Sequence, residues 1–250
     1  MILRLDLHIH SQASPDGRMP VDEILRRARE CGLNGVAITD HDRLYRPDGT
    51  EPQDLLVIPG VEFSTEHGHL LGLFLTEPIP FSREKGRAPD APGGVRELIE
   101  AIHAQGGLAV LAHPFEHNSS EERLLPLAPL LDGMETWNGR ANRRFPDANA
   151  RAAAFAATHA LPGLAGSDAH LLREIGNGIV CVEAEAPTLA AVKAAIAAGR
   201  CTVSGRNGRH LDVARSQFTG LKKRGAGLGR RLKWLLFAGK CAAEDLCRRR

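Results

Sequence analysis

The chain has 250 residues, 43% of them hydrophobic, and a formal net charge of +2, a composition that allows one sizeable folded core. No apolar run approaches roughly eighteen residues, and the start of the chain lacks the pattern of a signal peptide, which argues against a membrane-spanning or secreted protein. Five scattered cysteines, odd in number and without CxxC spacing, argue against a disulfide framework or a zinc ribbon and favour reduced thiols in the cytoplasm.

The first predicted element is a strand over residues 1–10, in which apolar and polar residues alternate with a period of two. One face carries leucines and an isoleucine. The other face carries three side chains able to bind metal, which are Asp6, His8 and His10. A helix is predicted next, from Pro20 at a favourable first-turn position to Gly32.

Strands and helices alternate through the rest of the chain to about residue 205. Strands are predicted over residues 35–39, 55–58, 69–75, 108–112, 133–137, 164–165, 179–183 and 201–204. Helices are predicted over residues 95–105, 147–159 and 189–198, and a surface loop over 77–94. This alternation favours an α/β fold with a parallel sheet. Six or more units without a dinucleotide-type glycine fingerprint favour a closed barrel over an open sheet.

Candidate metal ligands stand where predicted strands end. They are His8, His10, Asp40, His41, Glu62, His113, Asp168 and His170. In a parallel barrel these ends gather on one rim. Each residue alone has an ordinary explanation, since Asp40 or Asp168, for example, would serve as a helix N-cap. Their shared position indicates a site, and imidazoles with carboxylates but no cysteine suit catalytic Zn, Mn or Fe.

Five motifs, taken together and in this order, resemble the PHP family, named for its polymerase and histidinol-phosphatase members. The motifs are Asp6-Leu7-His8-Ile9-His10-Ser11, Thr39-Asp40-His41, Gly60-Val61-Glu62, Ala112-His113-Pro114 and Gly166-Ser167-Asp168-Ala169-His170. The resemblance covers residues 1–205 and implies a distorted (β/α)7 TIM-like barrel with a site for two or three divalent ions.

The resemblance also implies a ligand set for each metal. One ion would be held by His8, His10, Glu62 and Asp168, a second by Glu62, His69 and His113, and a third by Asp16, His41 and His170. Asp16 stands in the Ser14-Pro15-Asp16-Gly17 turn, and His69 fits the family pattern better than His67, which is kept in reserve. Asp6 and Asp40 would orient imidazoles from behind the ligands.

The implied chemistry is hydrolysis of a phosphate ester by a metal-activated hydroxide. Arg140 and Arg143 follow a predicted strand and are expected to stabilise charge on the phosphoryl oxygens, although a solvated loop would explain both equally well. His170, or a water at the metals, would protonate the leaving group.

Small phosphomonoesters, such as nucleotides or nucleoside bisphosphates, are the expected substrates, because Asp16 resembles small phosphoesterase members. A nuclease or proofreading phosphodiesterase acting on nucleic acid is one alternative, and a phosphatase acting on histidinol-phosphate-like esters is another. A non-catalytic metal-binding protein is disfavoured, because no position of the ligand set is visibly lost.

Residues 206–250 form a basic C-terminal extension. Eleven lysines and arginines stand against two acids over residues 215–250, around the apolar run that contains Trp234 and Phe237. Contact with nucleic acid or an anionic membrane is one interpretation, but a helix packed on the barrel, or a partly disordered segment, is favoured. Because every candidate ligand precedes residue 171, activity is expected to survive removal of residues 221–250.

Overall fold

A computed structural model describes residues 1–81, 92–116 and 120–247, so that part of the predicted 77–94 loop lies outside the described residues. The described ranges contain nine strands: β1 (Ile2–Ile9), β2 (Gly35–Ile38), β3 (Leu56–Thr65), β4 (Gly68–Leu73), β5 (Leu108–Ala112), β6 (Gly133–Asn138), β7 (Gly163–Gly166), β8 (Gly178–Glu183) and β9 (Cys201–Gly205). The same ranges contain seven α-helices: α1 (Val21–Glu30), α2 (Val95–Ala104), α3 (Glu121–Leu124), α4 (Ala148–Thr158), α5 (Leu189–Ala197), α6 (His210–Lys223) and α7 (Leu228–Cys247).

The strands form one sheet in the order β7-β6-β5-β4-β3-β2-β1-β8-β9. Strands β1 to β7 curl into a nearly closed barrel, because the segment after β7 returns to β1. Ile9 and Ala169 form a parallel bridge, and the N–H of His10 donates to the carbonyl of Ala169 at 2.9 Å. The prediction of an α/β fold with a distorted TIM-like barrel is confirmed.

The expectation of a wholly parallel sheet is wrong at two strands. Strand β4 runs antiparallel to β3 and β5, and β8 runs antiparallel to β1 and β9. Only Glu66 and His67 separate β3 from β4, whereas a parallel pair needs a crossover of about a dozen residues. The reversal matters for the site, because it brings the beginning of β4 to the rim where β5 ends. His69 of β4 is thus paired with Ala112 of β5.

The apolar face of β1 enters the core, as its alternation predicts. Leu5 and Leu7 join a buried cluster with residues of most other strands and of α5. Helix α1 buries Ile24 and Leu25 against the outside of β1 and β2, and each such side chain contributes about 1.5–3 kcal/mol. This packing fixes the strands whose ends carry the candidate ligands.

Candidate metal centre

All nine predicted ligands lie together at one rim of the barrel. They are His8 in β1, His10 and Asp16 after it, His41 after β2, Glu62 in β3, His69 in β4, His113 after β5, and Asp168 and His170 after β7. Seven of them line a cavity of about 140 Å³, while His8 and His10 are fully buried. The antiparallel β4 explains why His69, and not the reserve His67, belongs to the group.

Glu62 occupies the centre of the group. Its Oε1 lies 2.8 Å from Nδ1 of His69 and 3.0 Å from Nε2 of His113. Its Oε2 lies near three other imidazoles, 3.1 Å from His10 Nε2, 3.1 Å from His41 Nδ1 and 3.4 Å from His8 Nε2. Each carboxylate oxygen therefore faces a different set of imidazoles, which is the arrangement required of a ligand that bridges two cations.

Two aspartates, Asp168 and Asp16, lie near other imidazoles of the group. Oδ1 of Asp168 lies 3.4 Å from Nε2 of His10 and 3.8 Å from Nε2 of His8. Oδ2 of Asp16 lies 3.1 Å from Nε2 of His170, and its Oδ1 lies 3.9 Å from Nε2 of His41. His10, Asp16, His41 and His170 also place one ligand atom each within 4.8 Å of one another.

The tautomer of His8 directs a lone pair into the group. Nδ1 of His8 lies 3.0 Å from the carboxylate of Glu135, which can only accept, so the Nε2 of a neutral His8 carries a lone pair. Nε2 of His10 lies 3.1 Å away from it, and Nδ1 of His10 is held by the Ser14 hydroxyl at 2.9 Å. Because the Ser14 hydroxyl can donate or accept, Nε2 of His10 either donates a proton to Nε2 of His8 or directs a second lone pair toward a shared metal ion.

Four buried atoms of the group make no hydrogen bond within the described residues. They are Asp16 Oδ1, His41 Nδ1, Glu62 Oε2 and His170 Nε2. His41 Nδ1 and Glu62 Oε2 are close, yet their geometry is not that of a hydrogen bond. Because buried polar atoms are almost always satisfied, these atoms fit the ligands of bound metal ions.

The electrostatics of the group favour positive charge. Burial alone would lower the pKa of His10, but Asp168 and Glu62 raise that pKa to about 9. Burial likewise opposes charge on His113, whose pKa Glu62 raises to about 10. Burial lowers the pKa of His41 to about 4, so its neutral ring is available as a ligand. The carboxylates that favour protons on the first two rings also favour divalent cations, which compete with those protons.

Glu135 is a residue of the group that the sequence patterns did not predict. Besides orienting His8, it accepts the backbone N–H of His113 at 3.0 Å, so that one carboxylate holds two of the candidate ligands. The sequence signal for Glu135 is a charged residue within a strand that is otherwise predicted to be buried. Such a side chain must find partners in the interior.

Asp6 binds backbone groups instead of an imidazole, so its predicted contact is wrong. Its carboxylate accepts N–H groups from Ser167 at 2.8 Å and Gly176 at 2.9 Å, and burial raises its pKa to about 6. The register of β1 shifts between Asp6 and Ile9, which turns this side chain away from the imidazoles. Asp6 still serves the site indirectly, because Ser167 immediately precedes Asp168.

Asp40 was also predicted to orient an imidazole, but it binds Ser11 instead. Its two oxygens accept the backbone N–H of Ser11 at 2.7 Å and the hydroxyl of Ser11 at 2.6 Å. Asp40 thus fixes the turn that follows His10. The side chain that orients the His10 ring is Ser14.

Two candidate ligands have strained backbones. His113 has φ +27° and Asp168 has φ +53°, in a region that residues other than glycine seldom occupy. Such conformations cost on the order of 1–3 kcal/mol each and persist where the surrounding structure enforces them. Their position supports a functional role for both residues.

Of the two candidate arginines, only Arg140 reaches the cavity. Its guanidinium pairs with the carboxylate of Glu174 at 2.9 and 2.6 Å and donates to the hydroxyl of Ser216 at 3.0 Å. Arg143 lies elsewhere, over the ring of Phe237 at 5.3 Å from its centroid. A cation–π contact thus holds Arg143 against α7, and its predicted contact with a phosphate at the metals stays a prediction that the cavity lining does not support.

Helix α6 of the C-terminal extension forms one wall of the cavity, through Val213, Ser216 and Gln217. Near its end, Nζ of Lys223 donates to three backbone carbonyls, of Gln12 at 2.9 Å, Ser14 at 2.7 Å and Gly17 at 2.7 Å. These contacts use all three donors of the ammonium group. They hold the loop that carries Asp16.

Comparison with known proteins agrees with this architecture. A model described as the PHP domain matches residues 6–118, and one described as PHP-associated matches residues 146–201. An uncharacterized protein of Methanocaldococcus jannaschii is 35% identical over 154 residues, 54% of this chain and 82% of that protein. A 5'-3' exoribonuclease of Haemophilus influenzae is 24% identical over 273 residues, 75% of this chain and 98% of that protein. A two-domain crystal structure from Bacteroides vulgatus, containing a PHP-like metal-dependent phosphoesterase, has a TM-score of 0.63 at 19% identity, over 88% of this chain and 70% of that one.

The barrel and its rim of imidazoles and carboxylates are those of a metal-dependent phosphoesterase. The chain belongs to the PHP family, so the resemblance seen in its motifs is confirmed. Its clusters of His, Asp and Glu are able to bind metal ions.

Proposed function

We propose that the chain hydrolyses small phosphomonoesters, such as mononucleotides or nucleoside bisphosphates, with two or three Mn, Zn or Fe ions. The observation that carries this proposal is the convergence of nine His, Asp and Glu side chains on one rim of the barrel, seven of them lining a cavity of about 140 Å³. Mixed imidazole and carboxylate donors suit these metals better than magnesium or calcium.

As the family resemblance implies, these side chains would form three sets, one for each ion. His8, His10, Glu62 and Asp168 would hold the first, Glu62, His69 and His113 the second, and Asp16, His41 and His170 the third. When bound, such ions supply Lewis-acid activation of water and neutralise charge on the phosphoryl oxygens. The residues of the chain fix their positions, through a central Glu62 and imidazoles oriented by Glu135 and Ser14.

Two further residues take part in the proposed reaction. The guanidinium of Arg140, held by Glu174, adds fixed positive charge beside the phosphoryl group. Nδ1 of His170 lies 3.0 Å from the carbonyl of Asp168, an acceptor, so the neutral ring keeps its lone pair on Nε2. This geometry favours His170 as a ligand over the predicted proton donor, and water would protonate the leaving group.

A second cleft is a candidate place for the organic part of a small substrate. It has a volume of about 600 Å³, and its lining includes the exposed Arg18 together with Leu171 and Leu172. Leu171 directly follows His170, and Arg18 stands two residues after Asp16, so residues close in sequence to the third donor set line the cleft. We propose that the organic part of the ester lies there.

Purified protein is expected to contain transition metal and to lose phosphate release in strong chelator. The test is elemental analysis, together with phosphate release from a panel of mononucleotides, nucleoside bisphosphates and sugar phosphates, with Mn, Zn, Fe or Mg added back. Full activity in chelator, with no metal found, would contradict the metal assignment. Metal-dependent activity without phosphate release from any monoester of the panel would contradict the assignment of small phosphomonoesters as substrates.

A nuclease acting on short nucleic acids is the second candidate. It is favoured by the exoribonuclease relative, which this chain matches over 98% of that protein's length. The same assay distinguishes the two candidates when a 5'-phosphorylated oligonucleotide is placed beside the matching mononucleotide. Nucleotide released from the oligonucleotide, without phosphate release from the monomer, would establish the nuclease.

Lys223→Met is expected to weaken metal binding at the Asp16 set about ten- to hundredfold, the usual effect of removing a group that supports a ligand. The reason is the loss of three contacts to the loop that carries Asp16. Titration of Mn followed by electron paramagnetic resonance measures this affinity, and Lys222→Met is the matched control from the exposed neighbouring position. Equal affinity in both variants would contradict this role. The contacts argue against the expectation that residues 221–250 can be removed without effect.

A further inference from the structure

Helix α7 packs on the molecule through one face only. Nε1 of Trp234 donates to the carbonyl of Ala214 in α6 at 2.6 Å, and Cys241 is the residue of α7 that is fully buried. The carboxylate of Asp245 accepts the backbone N–H groups of His210 and Leu211, at the beginning of α6. The other acid of the helix, Glu244, also faces α6, since it contacts the His210 ring.

The opposite face of α7 is apolar and exposed. Its leucines are Leu228 (75% exposed), Leu232 (53%), Leu235 (56%), Leu236 (79%) and Leu246 (60%). At about 100° per residue these positions fall within an arc of about 100°. The small residues Gly239, Ala242 and Ala243 continue the same stripe between Leu236 and Leu246. The five leucines define the leucine stripe of α7.

Basic residues border the leucine stripe on both sides. On the same helical projection, Arg231 lies along one border, and Lys233 and Lys240 lie along the other. Asp245 is directed to α6, and Glu244 contacts both His210 of α6 and Lys240, whose Nζ lies 3.7 Å from its Oε1. Arg231 and Lys233 still give the borders of the leucine stripe a positive charge. Long basic side chains at such borders extend their charged ends away from an apolar surface.

The combination of exposed leucines and basic borders discriminates among three candidate partners for the leucine stripe. A second copy of the chain would bring like charges together at both borders. A nucleic acid would neutralise the charge but leave the leucines in water. An anionic lipid surface matches both features, because leucines enter the acyl boundary while lysine and arginine remain among the headgroups. No helix of the described residues is long and apolar enough to cross a membrane. We propose that α7 lies flat on an anionic membrane surface and holds the phosphoesterase there.

The test is cosedimentation of the full chain with vesicles of phosphatidylcholine alone or mixed with phosphatidylglycerol. Binding is expected to the mixed vesicles only, and to fall as salt is raised. Replacing two residues of the stripe, Leu232→Ser with Leu236→Ser, should weaken binding at least about tenfold. The pair Arg231→Gln with Lys233→Gln should weaken it several-fold and reduce the salt dependence. Leu125→Ser, at an exposed leucine outside the stripe, is the matched control and should bind like the original chain.

Several outcomes would overturn the proposal. These are no binding to either vesicle, equal binding to both, or unchanged binding by the Leu232/Leu236 variant. A dimer in light scattering that this variant dissociates would assign the stripe to a second copy. Hydrolysis of a soluble phosphoester should be equal in all these variants, because their positions lie outside the metal cavity.

Discussion

Glu62→Ala is expected to abolish phosphate release and to remove metal from two positions at once. One oxygen of Glu62 faces His69 and His113, and the other faces a separate set of imidazoles, so its loss disrupts both sets. Lewis-acid stabilisation by a metal ion is worth several kcal/mol, and a loss of ~4 kcal/mol corresponds to about a thousandfold in kcat/KM. His170→Ala should cost less, because His170 contributes to the third set alone.

The comparison requires saturating Mn and a metal count for each variant. Glu100→Ala, at an exposed glutamate of α2, is the matched control and should retain both metal and activity. A His170→Ala variant clearly worse than Glu62→Ala would show that Glu62 does not bridge. Full metal occupancy in Glu62→Ala would lead to the same conclusion.

The parts of the site that follow local rules were predictable from the sequence. Alternation in β1 placed His8 and His10 on one face, and an apolar run ending in Asp40-His41 marked β2. Parallel strands end at one rim, so the strand-end position of Asp168 was enough to group it with the histidines. The structure brings these side chains within hydrogen-bonding range, although the ion that each one binds is still a prediction.

Contacts between distant segments were not predictable in the same way. The β3–β4 hairpin follows from a two-residue connection, but the alternation of strands and helices concealed it. Glu135 lies 127 residues from His8 in sequence, and no local pattern joins the two. Asp6 appeared to share a face with the imidazoles until the register shift in β1 turned it away.

The C-terminal extension is the clearest case of a contact that could not be predicted from the sequence. Its composition predicted a basic amphipathic helix, and the structure contains one, in α7. Nothing in that composition indicated that Lys223 would reach Ser14, 209 residues earlier in the chain. Such pairings depend on how two helices dock, and charge and hydropathy alone do not determine docking.

Arg140→Ala is expected to lower both stability and activity, by separate routes. The change leaves Glu174 buried without its partner, and loss of one member of a buried ion pair costs about 3–5 kcal/mol in the free energy of unfolding. Loss of a charge-assisted contact to phosphate is worth roughly 1.5–3 kcal/mol, or about ten- to hundredfold in kcat/KM. Arg140→Lys should recover only part of each, because a point charge cannot reproduce the paired contacts to Glu174.

Glu174→Gln separates direct action from action through the ion pair. It removes the charge of the partner but keeps an oxygen able to accept the N–H groups of His170 and Leu171. If Arg140 contacts the phosphate, Arg140→Ala loses more kcat/KM than Glu174→Gln, while both lower the melting temperature. Arg143→Ala is the control and should stay within about twofold, because Arg143 does not line the metal cavity and its guanidinium lies over Phe237. Equal losses of kcat/KM in Arg140→Ala and Glu174→Gln, with metal retained, would show that Arg140 only positions its neighbours and leaves the phosphate to the metal ions.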